Sequence, residues 1–582
     1  GSGSQNTAVG YLSLYKNTAG DNTAVGAYTL ACNTTGDYNT AVGYASQNYT
    51  NTGRGNTSLG RQALYLNNDG GAYNTALGAF AMLDNTSGSC NVALGYAALC
   101  TNTTGGNNVA VGWRALCSST TASSNVAVGR ETLVSNTIGA NNVAIGHQSL
   151  VLATTATDNI AIGTNALCTN VHGAYNVAIG RNALFNNKCG YNVGIGYLAL
   201  SEQTTGYYNT AVGALNSRCM TTGAVNTSLG MYALHKNTTA SSNVAIGYSS
   251  LICNTTGTHN VAVGRDSLYK NVSGGYNAAM GSYAADKNIG GSNNVAIGYI
   301  ANRNNVTASA NTAVGSQALP ANTASSNTAV GTYASNCNTT GSGNVAVGMY
   351  AACGVVAGSC NTVVGQNALR SPDSDTCRNV AIGNGALYNF ESNNTVAVGT
   401  CAGASSTTSN YSTWIGHFAG YANTTGDTNT VLGNVAMYSN TDGDNNIAVG
   451  HASLWTNLTG DNNVGIGTCA LYTNNAANNT AVGHHTLKSN AAGACNVAVG
   501  TCALNVNTAH DNTAVGTYAM ISNTSGLYNV AVGKDSLRSN TTGDSNAAFG
   551  RIALYKNTVG GSNTSIGQGS MYYNVSGTGN VA

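Results

Sequence analysis

A pentapeptide of the form Asn-Thr/Val-Ala-Val/Ile-Gly recurs from one end of the 582-residue chain to the other. Marked by its last glycine, it occurs 34 times, and of the 33 intervals 25 are 17 residues, six are 16 and two are 18. A unit this short cannot bury a core by itself, so each unit must pack against its neighbours. The period therefore predicts one elongated array over residues 1–582, where length alone would suggest about four globular domains.

We number each unit so that the pentapeptide occupies positions 1 to 5, as in 108–112. Position 4 is a large apolar residue in every copy, and position 9 is mostly Leu. These two positions are the predicted core rows. We therefore expect Val111, Ile145, Leu116 and Leu150 to be buried.

Helix is disfavoured because the units are rich in Asn, Thr, Gly and Val and carry no apolar stripe at helical spacing. Short strands stacked in parallel, about 4.8 Å apart, fit the pattern better. The predicted fold is all-β: a parallel β-solenoid of about 34 turns, flattened to two main sheets, in a rod roughly 160 Å long. The Asn residues at positions 1 and 12 should stack into amide ladders. The glycines at positions 5 and 15 should form corners with positive φ.

Position 3 is Ala, Ser or Gly in all but three copies. Since neighbouring strand residues face opposite ways, an inward position 4 would place this small row outside. The row, including Ala110, Ala127, Ala144 and Ala161, is then a predicted contact of a parallel homo-oligomer. The alternative is that these residues are small because the core is narrow there.

The two longest units and one turn with unusual core residues carry separate predictions. The 18-residue units contain 67–70 (Asn-Asn-Asp-Gly) and 371–373 (Ser-Pro-Asp), and each extra residue is predicted to bulge at a corner without breaking the core rows. The turn from Cys401 to Trp414 lacks Leu at position 9 and carries Trp at position 3. It is the predicted weak or specialised point.

Charged residues make up 7% of the chain, against about 25% in a typical domain. The net charge of +1 provides no basic surface for nucleic acid, so no nucleic-acid partner is predicted. No apolar run approaches the length of a membrane span, so no membrane insertion of this segment is expected. The regular placement of Val, Ile and Leu argues against disorder.

The pentapeptide and the Gly-x-x-Ala/Ser-Leu that follows it resemble the head repeats of trimeric autotransporter adhesins. Similar arrays occur in phage tail fibres and other viral fibre proteins. The resemblance covers essentially the whole chain, although the unit here is longer than that of the adhesin heads. It implies a left-handed β-roll and homotrimerisation. We expect the chain to be an excerpt of a longer fibre protein located on a virion or at a cell surface.

The candidate chemistry is sparse, and no catalytic, cofactor or metal residue and no cofactor is predicted. Cys100 and Cys117 share one position in successive turns, so they form either a disulfide or a pair of small apolar fillers. His484 and His485 are the only close histidine pair, but adjacent strand residues would face opposite ways, which argues against a metal site. Asp after the turn glycine, as in Asp427, is ordinary turn chemistry more than a calcium site. No catalytic set stands out, so an enzyme is not expected.

The favoured function is structural: the shaft of a virion fibre that holds a receptor-binding tip for host attachment. The alternative is a bacterial surface adhesin or extracellular filament. A further alternative is ice binding, because position 2 is Thr in fifteen copies, although Val or Ile in seventeen others interrupts any hydroxyl lattice. Tyr at positions 6 and 10 makes a cell-surface glycan or receptor a candidate partner, with packing between turns as the other interpretation.

Overall fold

The computed structural model describes residues 3–371 and 375–582. The chain divides into two compact units, Gly1–Asn293 and Asn294–Ala582, and each is a parallel β-solenoid with about one turn per repeat. The described residues contain no helix. The predicted fold class is confirmed.

Each turn contributes one three-residue strand at positions 2 to 4. Within each unit the strands pair in parallel and without offset, so that Val126, Ala127 and Val128 lie beside Val143, Ala144 and Ile145. The first unit holds β1 Thr7–Val9, β2 Thr23–Val25, β3 Thr40–Val42, β4 Tyr49–Thr50, β5 Thr57–Leu59, β6 Leu66–Asn67, β7 Thr75–Leu77, β8 Val92–Leu94, β9 Val109–Val111, β10 Val126–Val128, β11 Val143–Ile145, β12 Ile160–Ile162, β13 Val177–Ile179, β14 Val193–Ile195, β15 Thr210–Val212, β16 Thr227–Leu229, β17 Val244–Ile246, β18 Val261–Val263 and β19 Ala278–Met280. The second unit holds β20 Val295–Ile297, β21 Thr312–Val314, β22 Thr328–Val330, β23 Val345–Val347, β24 Thr362–Val364, β25 Val380–Ile382, β26 Val396–Val398, β27 Thr413–Ile415, β28 Thr430–Leu432, β29 Ile447–Val449, β30 Val464–Ile466, β31 Thr480–Val482, β32 Val497–Val499, β33 Thr513–Val515, β34 Val530–Val532, β35 Ala547–Phe549 and β36 Thr564–Ile566.

The side of each turn opposite the strand is not a second sheet, so the prediction of two main sheets is wrong. Apart from the short β4–β6 pair, the described residues there are turns whose backbone has positive φ at positions 7 and 9, as at Arg114 (53°) and Leu116 (52°). Hydrogen bonds still join successive turns: the Leu116 N–H donates to the Thr132 carbonyl at 2.9 Å. Positive φ at positions 7 and 9 turns the chain sharply instead of extending it as a strand. The turn directs the side chain of Leu116 into the core.

The core consists of the small row at position 3 and the Leu row at position 9. Ala110, Ala127, Ala144 and Ala161 are fully buried within their own chain. The predicted interface through this alanine row is therefore wrong, and the alternative of a narrow core is correct.

Position 4 faces outward. Leu116 and Leu150 are fully buried as predicted, but Val111 is only partly buried and Ile145 is 38% exposed. The physical reason is volume: the Leu side chains fill most of a thin core, and only a small residue fits opposite them. β-Branched residues then occupy the outer strand positions, which suit their backbone preference.

Two polar substitutions show that position 3 and position 9 share one space. Ser58 stands at position 3, and Gln47, at position 9 of the preceding turn, donates a hydrogen bond to its hydroxyl at 2.8 Å. Ser228 is likewise 2.8 Å from the hydroxyl of Ser217. In both pairs a buried hydroxyl at position 3 finds a polar partner at position 9 across the core.

The predicted Asn ladders are present at positions 1 and 12. At position 1, the backbone N–H and side-chain amide of Asn142 donate to the Asn125 side-chain oxygen at 3.0 and 3.1 Å. At position 12, the Asn271 amide donates to the Asn254 oxygen at 2.9 Å. The same Asn271 amide also donates to the carbonyl of Gly274, at position 15. These bonds satisfy buried polar groups on successive turns and hold the register.

The two glycine corners have different causes. At position 5, Gly112 has φ +134°, and a Cβ there would lie 2.3 Å from the carbonyl oxygen of Gly129. At position 15, Gly36 does not have positive φ, so the prediction fails there. A Cβ on Gly36 would instead lie 2.1 Å from the carbonyl oxygen of Gly53, so close approach of the next turn selects a small residue.

The first 18-residue unit behaves as predicted. The Asn67 amide binds the carbonyl of Gly71, four residues on, where most turns use the third residue, so the extra residue sits at this corner. The strands on either side, β5 and β7, remain in register. In the second such unit, positions 372 and 373 lie outside the described residues.

Candidate functional site

The outward side chains of positions 2 and 4, which we call the outward face, form an uncharged and largely apolar surface along each unit, with Thr at position 2 of fifteen copies. It includes Val92, Leu94, Ile145, Leu229 and, in the second unit, Leu432, which are between 38% and 49% exposed. Neither position carries a charged residue in any copy. Continuous apolar surface without charge is typical of a face that is covered by a partner.

The second unit has a groove of about 800 Å³ on its surface. It lies between side chains at positions 6 and 7 and those at position 10. Its lining residues come from five successive turns: His417, Phe418, Asn434, Val435, Tyr438, His451, Ala452, Trp455, Cys469, Tyr472 and Lys488. A groove of this volume, lined mainly by aromatic and apolar side chains with a few polar groups, is a candidate binding site.

One wall of the groove is formed by the position-10 rings of Tyr438, Trp455 and Tyr472, and Tyr421 extends this ladder of rings by one turn. Neighbouring rings are nearly parallel, with centroids 5.2, 6.1 and 4.9 Å apart. Because the rings face each other along the solenoid axis, their flat faces are covered and only their edges line the groove. This geometry favours packing between turns over stacking on a sugar, which needs an open ring face.

The side chains of His484, His485 and Cys502 form a cluster in the last turn of the groove and the turn that follows it. Among the described residues it is the one group of three or more metal-binding side chains whose ligand atoms all lie within 4.8 Å of one another. The two imidazole rings stack with centroids 3.8 Å apart. The expectation that these histidines face opposite ways is wrong, because they follow the end of strand β31 at Val482.

The Asp residues after the turn glycines cap backbone groups of the preceding turn. The Asp444 carboxylate accepts the N–H of Asp427 at 2.7 Å, and Asp461 accepts that of Asp444 at 2.8 Å. One carboxylate oxygen of each is thus used within the fold. The ordinary turn interpretation of these residues accounts for their placement.

All sixteen cysteines, each of them among the described residues, are thiols and form no disulfide. The side chains of Cys100 and Cys117 are in hydrogen-bond contact. The hydrogen bond that Cys100 donates, assisted by Arg114, lowers the pKa of Cys117 to about 6. The same contact, together with burial, raises the pKa of Cys100. The pair therefore has one thiol that ionises near neutral pH and one that stays protonated.

The chain matches no protein-family model and no curated protein. Among the described residues no helix is long and apolar enough to cross a bilayer.

Proposed function

We propose that the chain is the shaft of a virion fibre, similar to a tail fibre, that holds a receptor-binding tip away from the particle for host attachment. The observation that supports this is the ladder within each unit, in which strand pairing joins successive turns and buried Asn side chains join most of them, with hydroxyl groups such as that of Ser412 taking the place of Asn in a few turns. Bonds of this kind depend little on ionic strength, because few of them involve charges.

A second copy of this chain is the partner proposed for the outward face. Its side chains are apolar at position 4 and Thr, Val, Ile or Ala at position 2, carry no charge at either position, and repeat on all 17 strands of each unit. Lateral association would bury them at about 25 cal/mol for each Å² removed from water. A parallel homotrimer, in which each copy contributes this face, is the proposed assembly.

The experiment is electron microscopy of the purified chain together with light scattering. A shaft predicts stiff particles about 160 Å long, from 33 steps of about 4.8 Å, that keep their shape at high salt and resist protease. Compact particles, or particles that collapse in salt, would contradict the proposal. Arginine at Val128, Ile145 and Ile162 should convert the oligomer to folded monomers, and an unchanged mass would refute the assigned contact.

The bacterial adhesin or filament remains the alternative within the same mechanical role. The sequence of the parent protein separates the two, because a sorting signal or membrane anchor indicates a cell surface and a fibre-tip domain indicates a virion.

Ice binding would use the same outward face, since Thr and Val of position 2 lie on it beside position 4. A folded monomer that shows thermal hysteresis would favour ice binding over the shaft. A cell-surface glycan stays a predicted partner. The place to test it is the groove, by glycan binding of the intact chain and of a Trp455→Ala variant.

A further inference from the structure

His484, His485 and Cys502 are brought together by the geometry of the turn and not by the sheet. His484 and His485 occupy positions 6 and 7 directly after Gly483, and Cys502 occupies position 7 of the next turn. Position 7 has positive φ, 52° at His485 and 53° at Cys502. The alternation of a strand therefore does not apply here, and both imidazoles lie on the same side as the thiol.

The backbone around the cluster is fixed by hydrogen bonds to both neighbouring turns. The N–H of His485 donates to the Thr468 carbonyl at 3.0 Å, and the N–H of Cys502 donates to the His484 carbonyl at 2.9 Å. Two of the three side chains are half-buried and His484 is exposed. The donor atoms are thus held close together at a place that solvent ions can reach.

We propose that His484, His485 and Cys502 bind one zinc-class divalent cation. Two imidazole nitrogens and one thiolate are ligands that zinc prefers, at about 2.0–2.1 Å for nitrogen and about 2.3 Å for sulfur. Donors already within 4.8 Å of one another need only small side-chain rotations to reach those distances. Water completes the tetrahedron, since the described chain supplies three ligands here.

The ligand chemistry suits a cation, because each imidazole can coordinate a metal through a ring nitrogen. On binding, the Cys502 thiol loses its proton to solvent and the sulfur bonds to the metal. The thiolate offsets part of the positive charge of the ion, which the ammonium group of Lys488, held over the Tyr472 ring, would otherwise disfavour through its charge.

The bound ion would join two successive turns, because His485 and Cys502 belong to different repeats. It would act there as a local cross-link on the array. The consequence is specific: binding should slow hydrogen exchange in residues 480–505 and leave distant turns unchanged.

The test is a titration of the intact chain with Zn²⁺ under a reducing agent, followed by Co²⁺ substitution. We expect one ion per chain in a saturable step and, with Co²⁺, a sulfur-to-metal charge-transfer band. Cys502→Ser should lose both the band and the saturable step. The matched control is Cys401→Ser, because Cys401 is half-buried at the same repeat position, with Gly385 and Phe418 in the flanking turns.

Three results would overturn the proposal. The first is no saturable binding by the intact chain. The second is equal binding by Cys502→Ser, which would leave only weak capture by surface histidines. The third is loss of binding in Cys401→Ser, which would place the ion elsewhere. Circular dichroism of each variant shows that the fold is intact.

Discussion

Replacement of Trp414 is the best test that positions 3 and 9 together form the core. It stands at position 3 of β27, where most turns have Ala, and is 1% exposed. Its ring fills the space that Leu side chains would occupy at Gly403 and Gly420. It also packs edge-to-face against Phe390, with the two ring centroids 6.5 Å apart. Trp414→Ala removes this filling, and such a change in a core costs about 3–5 kcal/mol.

The glycines make the prediction sharper, because they allow a rescue. A Cβ on Gly403 would lie 2.1 Å from the Trp414 ring, and one on Gly420 would lie 2.7 Å from it. Both glycines have φ near +60°, and Leu387 has φ 52° at the same position one turn earlier. The triple variant Trp414→Ala, Gly403→Leu, Gly420→Leu should therefore regain most of the lost stability. Gly403→Leu alone should destabilise these turns by about 1–3 kcal/mol, because the added side chain overpacks the core.

Hydrogen exchange by mass spectrometry is the assay, because long repeat arrays do not unfold as one two-state unit. A loss of about 3 kcal/mol corresponds to roughly a hundredfold faster exchange for amides that open with residues 396–432. Amides of β11 serve as the internal control and should not change. If Trp414→Ala exchanges like the parent, or if the triple variant is no better than the single one, position 3 does not share the core with position 9.

Three further outcomes are expected. Asn142→Ala should cost about 1–3 kcal/mol for each buried donor left without an acceptor, and unchanged local hydrogen exchange would contradict this. Because its pKa is lowered to about 6, Cys117 should be alkylated slowly below that pH and at full rate above it. In Cys100→Ala the midpoint should move to higher pH, and an unmoved midpoint would refute the assigned hydrogen bond. Ala127→Arg should unfold nearby turns because the charge is buried, whereas Val128→Arg should leave the fold intact by circular dichroism.

The strict period made most of the fold predictable. Stacking in register follows from 25 equal intervals, and the ladders follow from Asn at two fixed positions. The burial of Leu116 and Leu150 follows from the same regularity. These features depend only on what recurs, and recurrence is visible in one sequence.

The wrong predictions concern the width of the core and the backbone conformation of the turns, which the repeat period does not specify. The facing of the strand was assigned on the assumption that the larger apolar residue lies inside, which misplaced Val111 and Ile145. The second sheet failed because positive φ at non-glycine residues such as Leu116 has no sequence signature. The histidine cluster was missed for a related reason, since His484 and His485 lie just past the strand whose alternation was applied to them.

One pattern in the sequence does indicate that position 3, and not position 4, faces the core. Trp414, the largest residue at position 3, coincides with Gly403 and Gly420, which replace Leu at position 9 before and after it. Ser58 at position 3 likewise follows Gln47 at position 9. If position 3 were outside, its size and polarity would be independent of position 9. Compensation in both volume and hydrogen bonding therefore means that the two positions fill one space, and it leaves positions 2 and 4 as the face available to a second copy.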